Sequence, residues 1–140
     1  MNRLSLNRAI KCICLCVIFI LAVGCSSDEL KADSSINEQI KSYVSEHTVL
    51  SLDKISEPWD MVLIDSVYDF EDALENLKIN DSEISSLPSN DEIVVAFISD
   101  NKLKSYAVVG MDETEIVEYL DNYLYQNTHK TYPRGTQFTK

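Results

Sequence analysis

The sequence predicts an α+β fold: a small, mainly antiparallel sheet of three or four strands with helices on one face, in the order α-β-α-β-β-α. Three observations carry that expectation. Apolar residues recur at helical spacing in three stretches, beginning at Ile36, Phe70 and Ile116. Met61-Val62-Leu63-Ile64 is a continuous apolar run of strand length. Two β-prone segments, Glu92 to Ile98 and Lys102 to Val109, flank Ser99-Asp100-Asn101, and Asp and Asn both tolerate the left-handed backbone of a tight hairpin. A hairpin plus one earlier strand makes a small sheet, against which amphipathic helices bury their apolar stripes.

Residues 1–24 stand apart from that domain and read as an export signal. Arg3, Arg8 and Lys11 are positive, Cys12 to Val23 is uncharged and apolar, and Ala22 and Gly24 are small residues ahead of Cys25. The apolar stretch is shorter than the ~20 residues needed to cross a bilayer, so it is expected to be removed. Cys12, Cys14 and Cys16 leave with it, and Cys25 stays as the one thiol, which rules out a disulfide framework. Ala22-Val23-Gly24-Cys25 resembles a bacterial lipobox, with Leu21 one place further upstream than usual. That resemblance implies lipidation at Cys25, by diacylglycerol and then palmitate-type chains, and two or three chains would hold the protein firmly at ~0.8 kcal/mol per buried CH₂. The expected organisation is a signal over 1–24, a lipidated tether over 25–33, the α+β domain over 34–126 and a basic polar tail over 127–140.

Within the domain, Ser35-Ile36-Asn37-Glu38 has the capping-box form and opens a first helix. Ile36, Ile40, Tyr43, Val44 and His47 fall on one face at helical spacing, where His47 reads as a packed or rim histidine. Thr48 to Leu52 is short and β-prone. Glu57-Pro58 precedes a strand from Trp59 to Asp65, whose apolar run suits a central strand or one covered on both faces. Trp59 is expected at the core edge with its indole N–H on a carbonyl. Asp60 orients that junction, and Tyr68 packs beneath the second helix. Asp69 caps this helix, and Phe70, Ala73, Leu74 and Leu77 form its stripe. Asn80 to Asp91 is a polar loop broken by Pro88, and the hairpin follows. Asp112 with Glu115 three residues on opens a third helix, with Ile116, Leu120, Tyr123 and Leu124 buried. The tail from Asn127 holds Lys130, Arg134, Lys140 and His129, and is expected to fray rather than fold back on the acidic body.

Trp59-Asp60-Met61-Val62, Asp65-Ser66-Val67-Tyr68, Val94-Val95-Ala96-Phe97-Ile98 and Lys104-Ser105-Tyr106 together resemble a group of small, uncharacterised bacterial lipoproteins, with Val67 where that group tends to have Pro. The likeness spans residues 48–109 and implies the α+β fold and an envelope location, with no activity. Cys25-Ser26-Ser27-Asp28-Glu29 is also similar to the acidic export signals of some surface lipoproteins of the Bacteroidota. The localisation expected is the bacterial cell envelope, lipid-anchored, in the outer membrane or at the cell surface where the host has two membranes.

Beyond residue 24 the chain has nine Lys and Arg against 23 Asp and Glu, a formal charge of −14. Such a surface repels nucleic acid and suits a basic protein partner or plain solubility. No catalytic residues are expected. Gly110 and Gly135 are the only glycines after the signal, which excludes a G-x-S-x-G nucleophile turn and a glycine-rich phosphate cradle. His47 and His129 lie too far apart in sequence to suggest a zinc site, and no acidic window has the form of a calcium loop, so no metal and no cofactor are expected. The acids Asp65, Asp69, Glu71, Asp72 and Glu75 gather near the second helix's start, where its dipole favours negative charge. Two functions fit: a membrane-anchored, non-catalytic protein-binding domain of inhibitor or immunity type, or a structural or assembly accessory of an envelope complex. Membrane lipid, reached through Cys25, is a partner in both. The Lys102 to Val109 strand is expected to offer an exposed edge for strand addition, or to be guarded by Lys102 and Lys104.

Overall fold

The structure, a computed structural model, describes residues 29–55, 58–79, 84, 87, 91–124 and 130–140. Its elements run α1 (Ser34–Glu46), β1 (Leu50–Ser51), β2 (Met61–Ser66), α2 (Phe70–Asn76), β3 (Glu92–Ser99), β4 (Lys102–Gly110), α3 (Thr114–Leu124), β5 (Thr131–Pro133) and β6 (Gln137–Phe138). The α+β class and the antiparallel sheet are those the sequence predicts. Four strands form the main sheet in the order β4-β3-β2-β5, and β1 pairs with β6 in a second sheet of two.

The β3–β4 hairpin forms as expected. Asp100 and Asn101 have φ of 53° and 59°, the pair of positive values a two-residue type I′ turn requires. Asp60 pins this tip from the neighbouring strand: its Oδ2 accepts from the Asp100 N–H at 2.9 Å and the Ser99 hydroxyl at 3.1 Å. Those bonds, the backbone one foremost, hold its carboxyl below the usual range. Phe97 pairs with Ser105 but Ile98 with Leu103, so Lys104 is an extra residue in β4. Such a bulge raises the local twist.

Strand alternation divides the core in two. Val62, Ile64, Val95, Phe97, Ala107 and Val109 pack with Ile36, Ile40, Ile116 and Leu120. On the other side Leu63, Val94, Ala96, Ile98 and Tyr106 pack with Phe70 and Leu74. The expectation of helices on one face therefore needs correction: α1 and α3 cover one face, and the short α2 covers the other. The reason lies in β2 and β3, which are apolar on consecutive residues and so demand cover on both sides.

Local details differ where several residues of the right type compete. Asp33, not Ser35, caps α1, its carboxylate accepting from the Ser35 N–H at 2.9 Å. Asp69 makes no capping bond to α2; it sits in a helical conformation and accepts instead from the Ser66 hydroxyl at 3.1 Å. At α3 the side chain that reaches back is Glu113, whose Oε2 accepts from the Gly110 N–H at 3.1 Å and from Asn37 Nδ2 at 2.9 Å. A Cβ at Gly110 would lie 2.4 Å from Asp112 Oδ1, so a larger residue there would require the exposed Asp112 side chain to turn aside. Tyr68 does not pack beneath α2 but is 64 % exposed, since Phe70 takes the buried place two residues on. Trp59 is buried against Phe97, with the Arg134 guanidinium 5.7 Å from its ring centroid. Its indole N–H finds no carbonyl among the described residues.

Residues 130–140 do not fray. Tyr132 pairs opposite Val62 in the main sheet, and Phe138 pairs opposite Leu50. Both side chains are buried, and with Tyr123 they form three edge-on ring contacts at 4.8 to 5.6 Å. Burying two aromatics outweighs the polarity that suggested a loose tail. A turn at Gly135, with φ 90°, brings β6 back, and its N–H donates to Asp53 Oδ1 at 2.9 Å.

The chain just before α1 is also docked. Leu30 packs with the α2-side core and Ile36 with the α1-side core, so residues 30–36 pass around the β4 edge from one face to the other. The Tyr106 hydroxyl donates to the Leu30 carbonyl at 3.3 Å, and the Asp33 N–H donates to the Tyr106 carbonyl at 2.8 Å.

Candidate functional site

The α2-side face carries a hollow of about 570 Å³ at the β2–β5 edge, lined by Asp65, Asp69, Asp72, Asn76 and Lys130 among others. Each polar group has a local origin. Asp65 follows Leu63 by two in β2, so alternation puts it on the same inward face, where it is 1 % exposed. Asp69 ends the β2–α2 turn, and Asp72 stands on the outer side of α2. Lys130 arrives from the far end of the chain. Its carbonyl accepts from the Ile64 N–H at 2.9 Å, and its ammonium pairs with the Asp65 carboxylate and, at 3.4 Å, with Asp69.

Lys130 holds a φ of 53°, a left-handed conformation costing ~1–2 kcal/mol for a residue with a Cβ. The ion pair and strand pairing offset that cost. Burial opposes the charge on Lys130, but the hydrogen bond and charge of Asp65, followed by those of Asp69, outweigh it and raise its pKa. The amine is thus held as ammonium, unsuited to nucleophilic attack. Asp65 also accepts from the Ser66 N–H at 2.7 Å. With three carboxylates and one ammonium, the hollow keeps a negative excess and two solvent-facing acids, Asp69 and Asp72. Such a hollow can receive a cationic group, for instance a guanidinium, which suits carboxylates.

Cys25 and His129 lie outside the described residues. His47 follows α1 as its cap, stacked on Tyr43 at 4.1 Å with Nδ1 2.9 Å from the Tyr43 carbonyl, as expected of a rim histidine. The acids of the second helix separate: Asp65, Asp69 and Asp72 share the hollow, while Glu71 and Glu75 do not line it. Lys130 was missed as a site residue, because its partner stands 65 positions away. The one signal was Asp65 itself, an acid ending an apolar strand on the side of Leu63.

The β4 edge is not open for strand addition along its second half, contrary to the sequence expectation. The Tyr106 carbonyl accepts from Asp33 N–H, the Val108 carbonyl from Asn37 Nδ2 at 2.8 Å, and the Gly110 N–H donates to Glu113. The chain covers its own edge at three consecutive outward positions.

Among the described residues no group of three His, Cys, Asp or Glu is placed to hold a metal ion. No helix among them is long and apolar enough to cross a membrane. No protein-family model, curated protein or solved structure matches this chain.

Proposed function

We propose that this is an envelope lipoprotein, anchored by acyl chains on Cys25, whose domain binds a basic protein partner without catalysis, in the manner of an inhibitor or immunity protein. The observation that supports this reading is the hollow of Asp65, Asp69, Asp72 and Lys130 on a chain whose charge after residue 24 is −14. An acidic surface steers cationic partners and speeds their encounter. A concave site with two exposed carboxylates gives one arginine or lysine of that partner a place to seat.

The test is capture from envelope extract on immobilised residues 26–140, at low salt and at ~0.5 M, where screening shortens to a few ångströms. The reading expects one stoichiometric protein, released by salt and lost with Asp69→Asn/Asp72→Asn. That variant should unfold within ~1 kcal/mol of the parent, since both side chains are exposed and the Asp69 contacts to Lys130 and Ser66 are solvent-facing. A multi-protein assembly retained in high salt and indifferent to the substitutions would replace it with the accessory role. Absence of any captured protein would sink both.

A further inference from the structure

We infer that the cationic group received by the hollow is an arginine side chain, and that Lys130 enforces this choice by holding the ammonium seat on Asp65 itself. The inference rests on the binding role proposed above for the hollow and names the side chain of the partner that enters it. Its first ground is a carboxylate used on one side only. Asp65 lines the hollow and is 1 % exposed. The two donors that reach it, the Ser66 N–H and the Lys130 ammonium, both go to Oδ1. Its Oδ2 accepts no hydrogen bond among the described residues. A buried carboxylate oxygen without a donor is costly. Because Asp65 lines the hollow, an N–H of a guest seated there can supply one. The chain's own ammonium is a cation already seated on this wall.

The second ground is the make-up of the remaining wall. Asp69, Asp72, Ala73, Asn76 and Leu77 stand at i, i+3, i+4, i+7 and i+8, which is one face of α2 continued to the residue before it, and all five line the hollow. Asp72 has no hydrogen bond or ion pair among the described residues. Asp69 is engaged by the Ser66 hydroxyl and, at 3.4 Å, by Lys130. Residues three apart on a helix carry Cβ atoms ~5–6 Å apart, a spacing that the N–H fork of a planar guanidinium can bridge. Ala73 and Leu77 are half-buried and continue the same face as an apolar bed for an arginine's aliphatic stem. A lysine entering here meets Lys130, a like charge on the same carboxylates, and brings a compact, strongly hydrated ammonium in place of a fork. A guanidinium spreads its charge over a plane and is more weakly hydrated, so it loses less on entering a partly enclosed site. The hollow's volume of about 570 Å³ accommodates such a head and its stem beside Lys130.

The test is a titration of the full chain, isotope-labelled and held in detergent micelles, with acetyl-arginine amide or acetyl-lysine amide at constant ionic strength. Amide NMR shifts report where each probe sits and how tightly. The expected result is saturable shifts at Asp65, at Asp72 to Leu77 and at Lys130, with the arginine probe bound about fivefold more tightly than the lysine probe. Asp72→Asn changes one exposed side chain and should weaken the arginine probe about threefold. Lys130→Met and the milder Lys130→Gly open the ammonium seat on Asp65 and should narrow the preference to about twofold or less. Equal binding of the two probes by the parent, or an arginine probe indifferent to Asp72→Asn, overturns the arginine choice and leaves the hollow standing as a cation site. A full preference retained in both Lys130 variants overturns the part given to Lys130. Absence of saturable shifts at these residues with either probe overturns the choice and the binding role of the hollow together.

Discussion

Lys130→Met isolates the pair at the centre of the hollow. The substitution removes the ammonium while keeping the aliphatic stem, and among the described residues it leaves the Asp65 carboxylate, 1 % exposed, with the Ser66 N–H as its donor. Breaking a fully buried pair costs ~3–5 kcal/mol. Lys130 is 26 % exposed, so water relaxes part of that penalty and the expected loss is ~2–3 kcal/mol. Lys130→Gly also loses the pair but gains ~1 kcal/mol by freeing the left-handed backbone, so it should be the milder variant. Asp65→Leu/Lys130→Met removes both charges and should return to within ~1 kcal/mol of the parent. Urea unfolding of residues 26–140 at neutral pH reads these differences as midpoint shifts at unchanged slope, roughly 1–2 M for the single Met variant. A Lys130→Met protein within ~0.5 kcal/mol of the parent would refute the reasoning. So would a double variant as unstable as the single one.

The same pair sets an alkaline limit. The folded pKa of Lys130 is raised, so its contribution is complete below the ordinary lysine value of 10.5 and is lost as pH climbs through the folded value. Burial, then the Tyr123 charge, raises Tyr132 above 10.0, and a phenol harder to ionise when folded loses stability in the same direction. A urea midpoint series from neutral to strongly alkaline pH should decline above pH 10, less steeply in Lys130→Met. Phe138→Ala empties a fully buried position and should cost ~3–5 kcal/mol, where a fraying tail would show nothing. Asn101→Ala places a Cβ at φ 59° without asparagine's local compensation and should cost ~1 kcal/mol, read from the thermal midpoint.

Much of this fold was legible because it is written locally. The Asp100-Asn101 turn and its flanking strands announce themselves within 19 residues of chain, and the helix stripes repeat at fixed spacing. The sequence reading failed where the deciding partner is distant. β5 has three residues and ends in Pro133, too short for any periodicity to register; its pairing is decided by Val62, 70 positions upstream. The hollow divides along the same line. Asp65, Asp69 and Asp72 were visible as an acidic cluster, but the burial of Asp65 needed α2 overhead and Lys130 from the tail. Caps were ambiguous for a different reason: Asp33 and Ser35 are both good capping residues two positions apart, and backbone geometry chooses between them.

The passage of residues 30–36 around β4 has a consequence for the order in which the chain folds. Leu30 waits for Tyr106, 76 residues downstream, and Asn37 waits for Val108, 71 downstream. A chain delivered N-terminus first therefore holds its leading segment slack until the hairpin has been completed. Local pieces such as the hairpin close in microseconds, whereas contacts of this span bear a larger loop-closure cost and form later. The contacts of Leu30 and Asn37 are therefore among the longest-range in the fold, and by loop-closure cost they are expected among the last to form.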